Sequence, residues 1–116
     1  MLKLNWTKCA DGESWCQLEN VNLADVKTAG VYVIWHAGQP ARTVRVGQGD
    51  ISARLSAHRG DPAILAHRKH GKLLVTWASV PVAQRNGVER YLADHYRPLV
   101  GDAFPNCLAI QVNLVA

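Results

Sequence analysis

Residues 30–59, GVYVIWHAGQPARTVRVGQGDISARLSAHR, leave this chain few ways to fold. Val, Tyr, Ile and Trp crowd residues 31–36, and such side chains suit a pleated sheet. Alternation sets Val31, Val33 and Trp35 on one face and Tyr32, Ile34 and His36 on the other. Ala37-Gly38-Gln39-Pro40 is a turn signal, and residues 42–46 return as a second strand. There Thr43 and Arg45 are expected to share a face opposite Arg42, Val44 and Val46. Gly47-Gln48-Gly49 is expected to break the strand, since glycine accepts φ > 0 and lets a backbone or a phosphate come close. Asp50 then stands where a cap is wanted, ahead of a helix from Ile51 to about Arg59. On that helix Ile51 and Leu55 face inward, and Arg54 and His58 lie one turn apart on an adjoining face.

Gly60-Asp61-Pro62 ends this helix and starts another over 62–70, with Gly71 closing it. Residues 73–78, LLVTWA, begin with a continuous apolar run and read as a buried third strand. Ser79 and Pro81 introduce a long helix over 81–96, where Val88, Leu92 and Tyr96 repeat at helical spacing and Pro98 stops it. CLAIQVNLV near the C-terminus reads as a final strand or an extended tail. Upstream, Asp11-Gly12 sits between WTKC and SWCQL as in a short hairpin, and Asn22 could cap one helical turn. The expectation is a single α+β domain over 1–116: a small, about three-stranded, mainly antiparallel sheet flanked by helices, with a core at about 29–106 and an N-terminal extension over 1–28 that covers one side.

A chain of 116 residues is enough for one such domain, and 48% hydrophobic with 19% charged residues suits a soluble globule. No apolar run is long enough to cross a membrane, and the N-terminus carries no apolar leader, so a cytoplasmic protein without a membrane partner is expected. Cys9, Cys16 and Cys107 are odd in number and read as free thiols; a zinc site would need His67 and His70 as well. The formal charge of +4 is uneven. Residues 42–72 hold seven basic and two acidic side chains, a local +5 that leaves −1 for the rest. A basic stretch inside a domain suits a polyanion, because Lys and Arg replace the counterions of phosphate.

Gly30-Val31-Tyr32 followed by Arg45-Val46-Gly47 resembles the paired motifs of the GIY-YIG nuclease family, with valine for isoleucine in the first and arginine for the tyrosine of the second. The resemblance runs over about 29–106 and extends to the order of elements. Arg54 matches the family's arginine on the first helix, and His58 its histidine or tyrosine one turn later. Glu89 matches its glutamate on the last helix, ahead of Arg97-Pro98 and Asn106, the asparagine lying further along than is usual. The resemblance implies an Mg²⁺- or Mn²⁺-dependent endonuclease acting on DNA more than RNA, targeted by a partner protein if at all. The alternative is a nucleic-acid-binding module of the same fold with weakened or absent catalysis, favoured by Arg45 in place of tyrosine.

The residue types suit that chemistry. Glu89 is the one carboxylate in the constellation and is expected to hold the hard cation, which stabilises charge on phosphate and leaving oxygens. Arg54 would grip the phosphate by charge-assisted hydrogen bonds. Tyr32 would accept or relay the proton of the attacking water once neighbouring cations favour its phenolate, and His58 would shuttle that proton or orient Tyr32. Arg42, Arg45, Gln48, Arg59 and Asn106 are expected to contact nucleic acid. Without the motif, Tyr32 would read as an ordinary core aromatic, Glu89 as a surface carboxylate paired with Arg85 or Arg90, and His67-x-x-His70 as a solvated helix end.

Overall fold

The computed structural model describes residues 1–101 and 103–115. Strand β1 (Cys16–Gln17), β2 (Ala29–His36), β3 (Arg42–Asp50) and β4 (Leu73–Ser79) form one sheet in the order β1-β4-β2-β3, every pair antiparallel. Helix α1 (Ile51–Arg59) follows β3 directly. Then come a single turn, α2 (Pro62–Leu65), a 3₁₀ stretch (Ala66–His70) and, after β4, the long α3 (Val82–Tyr96). The α+β class expected from the sequence holds, but the sheet has four strands rather than about three. The extra strand is two residues long, too short to leave an alternating pattern.

β2 is one of the two interior strands, between β4 and β3. Its alternation divides the interior as expected: Tyr32 and Ile34 join Ile51, Leu55 and Ile64 under α1 and α2, whereas Val31 and Val33 join Val88 and Leu92 under α3. β3 departs from simple alternation. Ile34 pairs with Arg45 but Trp35 pairs with Thr43, so Val44 is an extra residue in a β-bulge. Val44 therefore packs on the α1 side and Val46 on the α3 side, not together, and Arg45 shares the face of Tyr32 while Thr43 does not. Gly47-Gln48-Gly49 does not break the strand either. β3 continues to Asp50, which precedes α1 without a side-chain cap.

Gly47 lies directly opposite Tyr32 in the β2–β3 ladder. A Cβ there would stand 2.2 Å from the Tyr32 hydroxyl oxygen and 2.4 Å from the ring carbon bearing it. The missing side chain is what lets the phenol ring lie across the strand, so the close approach is made by an aromatic ring and not by a backbone or a phosphate.

The N-terminal extension wraps both faces instead of covering one. Leu4 packs on the α3 side, whereas Cys16, Leu18 and Val26 pack on the α1 side. The hairpin around Asp11-Gly12 is present, with Cys9 bridged to Ser14. It brings the Cys9 and Cys16 Cα atoms to 5.1 Å, and the two form a disulfide, which corrects the reading of three free thiols; Cys107 is free and exposed. Asn22 caps its turn, accepting from the Ala24 N–H. α3 lacks the expected Ser79 cap, since Pro81 precedes its first residue without a side-chain hydrogen bond. The C-terminal segment is an extended tail, not a strand. It crosses α3 at Gly87, whose carbonyl accepts from the Ile110 N–H and where a Cβ would meet the Ile110 side chain at 2.5 Å. Asn113 then ties it to Leu4 through two hydrogen bonds. No helix among the described residues is long and apolar enough to cross a membrane.

Replacing Gly47 by alanine forces Tyr32 out of place. We expect Gly47→Ala to lower stability by roughly 1–3 kcal/mol, the range for overpacking, in denaturant unfolding, with a displaced Tyr32 ring in NMR spectra.

Candidate active site

Four structural elements converge near the middle of β3. β2 supplies Tyr32 and the bulged part of β3 supplies Arg45. The first turn of α1 supplies Arg54 and its last turn His58, and α3 supplies Glu89. The Tyr32 hydroxyl and His58 Nε2 are 2.5 Å apart, with ring centroids at 5.3 Å. Both residues are buried, at 1% and 5% exposure. Burial raises the Tyr32 phenol above its ordinary pKa, and Glu89 adds to that, while the Arg45 and Arg54 charges pull it back. Burial, reinforced by the same two arginines, lowers His58 from 6.5 to about 4. The two shifts are mutually consistent. A protonated phenol donates to a neutral imidazole that accepts at Nε2.

Arg45 runs along the same face, its guanidinium against Gly101. Its Nε is buried and has no hydrogen-bond acceptor among the described residues. Arg54 is exposed, with its stem beside Gly49. Arg45 reaches the face of Tyr32 by regular alternation from Gly47, and the bulge that follows puts Val44 on that face too, as packing.

Glu89 is only 8% exposed, unlike an ordinary surface carboxylate. Neither neighbouring arginine pairs with it. Arg90 binds Asp94 at 2.9 Å, and Arg85 donates through Nε to the Val80 carbonyl at 2.8 Å. Burial raises the Glu89 pKa, opposed by the Gln48 amide and by the charges of Arg45 and Arg54. Gln48 Nε2 also donates to Asn86 Oδ1 at 2.7 Å. Asn86 was not anticipated from the sequence, although its place three residues before Glu89 puts both on one side of α3. A buried carboxylate without an ion pair, beside a side-chain amide, is a donor set that suits a hard divalent cation completing its shell with water and phosphate oxygens. Among the described residues no group of three or more His, Cys, Asp or Glu side chains is arranged to hold a metal, so such a cation would depend on its substrate for retention.

The other expected contacts scatter. Arg59 is committed to structure: its Nε donates to the Leu18 carbonyl at 2.8 Å and its Nη2 to that of Val21, which anchors the N-terminal extension. Arg42 is exposed at the far end of β3, opposite His36, five residues and so roughly 16 Å along the strand from Gly47. Asn106 is exposed in the segment after α3, and no hydrogen bond links it to this cluster. Comparison with protein-family models, with curated proteins and with solved structures finds no match for this chain.

The His58 shift has a consequence for stability. Its folded pKa of about 4 lies below the unfolded 6.5, so the unfolded chain binds the extra proton first as pH falls. Stability unaffected above pH 6.5 is lost between 6.5 and about 4. We expect His58→Gln to remove roughly 2 kcal/mol of the stability difference between pH 7 and pH 5, measured by denaturant unfolding at both.

Proposed function

We propose that this domain is a metal-dependent endonuclease-like hydrolase of phosphodiester bonds in DNA, related in design to the GIY-YIG nucleases. The observation that carries the reading is Glu89: a carboxylate nearly excluded from solvent, without an ion pair, facing two arginines and a Tyr–His hydrogen bond. A pure binding surface has no use for a buried negative charge beside its phosphate contacts.

Arg45 and Arg54 together place two positive charges where a phosphodiester would bring negative ones. Binding of that phosphate offsets the charges that hold His58 down, which makes the imidazole a better acceptor. The attacking water then gives a proton to the Tyr32 oxygen while the phenol proton passes to His58 Nε2. The resulting hydroxide adds to phosphorus as the bond to the leaving oxygen breaks. An Mg²⁺ or Mn²⁺ held by Glu89 would supply charge neutralisation at the leaving oxygen. The two arginines disfavour a free cation beside Glu89, so metal and phosphate would enter together.

A second reading is a binding module with weakened catalysis. It is supported by the raised Tyr32 pKa and by Arg45, which stays protonated at any working pH and cannot serve as a base.

Two experiments separate these. Glu89→Gln should abolish nicking of supercoiled plasmid in Mg²⁺ or Mn²⁺, with chelator as control, and leave DNA affinity within about threefold, because an amide keeps the size and loses the hard-cation affinity. Undiminished nicking removes Glu89 from the site. Arg45→Tyr should cut at least as fast as the native chain, and Arg45→Ala more slowly. Absence of cleavage by the native chain with any divalent metal, together with cleavage by Arg45→Tyr, would establish the binding-module reading.

Affinity should also fall with salt. Arg59 is committed to backbone carbonyls and Arg68 is paired with Glu19, leaving about four or five cations for phosphate. The log–log salt slope should be roughly −4. A flat response would count against nucleic acid as the partner.

A further inference from the structure

A second polar cluster lies at the opposite end of β3 and plays no part in the chemistry above. His36, the last residue of β2, meets His67 and His70 of the 3₁₀ stretch, with ring centroids 6.4, 5.0 and 5.8 Å apart around the triangle. They line a cleft of about 370 Å³ together with Gln39, Arg42 and Leu99. Among the described residues no carboxylate lines it. Arg68, on the same 3₁₀ stretch as His67 and His70, is paired with Glu19 at 2.8 Å.

The hydrogen bonding favours donors over metal ligands. His36 Nδ1 accepts from the Gly38 N–H at 3.1 Å, so in the neutral ring Nε2 carries the proton and is a donor, not a lone pair for a metal. His36 is only 4% exposed, which holds that orientation. His67 Nδ1 is buried without a partner among the described residues. Arg42 contributes a permanent charge opposite His36. The cleft lining thus offers N–H donors and the Arg42 charge with no carboxylate among the described residues, and a bound oxyanion would satisfy both.

We propose that His36, His67, His70 and Arg42 form a binding site for a phosphate group, with His36 donating to it through Nε2. The ligand is a phosphate oxyanion, free or within a nucleic-acid backbone, and the site does not depend on the nuclease reading. The sign of the pH dependence follows from the groups around it. Burial, then His70, His67 and Arg42, lowers His36, and burial, then His70 and Lys69, lowers His67. His36 keeps Nδ1 for the Gly38 N–H and donates through Nε2, whereas His67 Nδ1 can take a proton; a phosphate favours that proton, so it binds with proton uptake at His67 and more tightly as pH falls. Lys72, whose backbone pairs with Ala37 at the rim, is exposed and adds a further positive charge.

The test is a titration of the full chain with inorganic phosphate at pH 6 and pH 8, following the histidine Cε1–H resonances, with sulfate as an anion whose charge is constant over that range. We expect saturable shifts of the His36, His67 and His70 signals at pH 6, with sulfate at least about tenfold weaker at pH 8. His67→Gln with His70→Gln should abolish the shift of His36, and Arg42→Gln, at an exposed position, should weaken binding several-fold with the fold intact. A short thymidine oligonucleotide identifies the source. Matching shifts at lower concentration assign the site to backbone phosphodiester, and a response to inorganic phosphate alone assigns it to the free ion. The proposal is overturned if neither anion shifts these signals at pH 6, or if the shift survives in the double variant. It is equally overturned if one equivalent of Zn²⁺ binds at pH 7.5 and the double variant loses it, which would make the cluster a metal site. Failure of the plasmid-cleavage experiments leaves every one of these readouts unchanged.

Discussion

The Tyr32 ring lies across Gly47, with its hydroxyl against His58, and much of the molecule follows from that packing. It joins an interior strand to the edge strand through a gap only glycine leaves open. It also anchors α1 over the sheet, because His58 is the last buried position of a helix whose other anchors are Ile51 and Leu55. The bond between two buried polar groups satisfies both, which an apolar interior requires. The same burial keeps the phenol protonated and the imidazole neutral, so the pair rests in the state from which a relay toward His58 could begin.

Electrostatics around this pair are unbalanced in a particular way. Arg45 and Arg54 act on Tyr32, His58 and Glu89 alike, yet neither forms a salt bridge among the described residues. The carboxylate and the two guanidiniums are close enough to influence one another but remain free of direct pairing. A domain stabilised for its own sake would be expected to pair or exclude these charges, since a buried unpaired carboxylate costs free energy. Arg59, by contrast, shows what a structural arginine does here: it is fully committed to two backbone carbonyls.

Much of the frame was legible because it depends on local pattern. The alternation of β2, the apolar start of β4 and the stripe on α3 each report which side of an element is buried. Three departures were not legible. The bulge puts Val44 on the opposite face from Val46 without any change of residue type, since valine suits either face of the sheet. The Cys9–Cys16 disulfide depends on a hairpin whose closure brings the two Cα atoms together, and spacing alone does not reveal it. Gly47 has the composition of a strand break, but the neighbouring strand uses the space a side chain would occupy.

The resemblance of the paired motifs pointed to Tyr32, Arg54, His58 and Glu89; taken alone, the amino-acid order determined the α+β class and the boundaries of β2 and the long helix to within a residue or two. Those features arise from periodicity and side-chain chemistry, which are local. Only the tertiary structure decided that Tyr32 and His58 share a hydrogen bond, that Glu89 is buried without an ion pair, and that His36 meets His67 and His70. Each of these joins residues 26 or more positions apart or depends on what its neighbours are already bonded to. Contacts of that kind are set by how strands register and where a bulge falls, and no pattern within one segment carries that information.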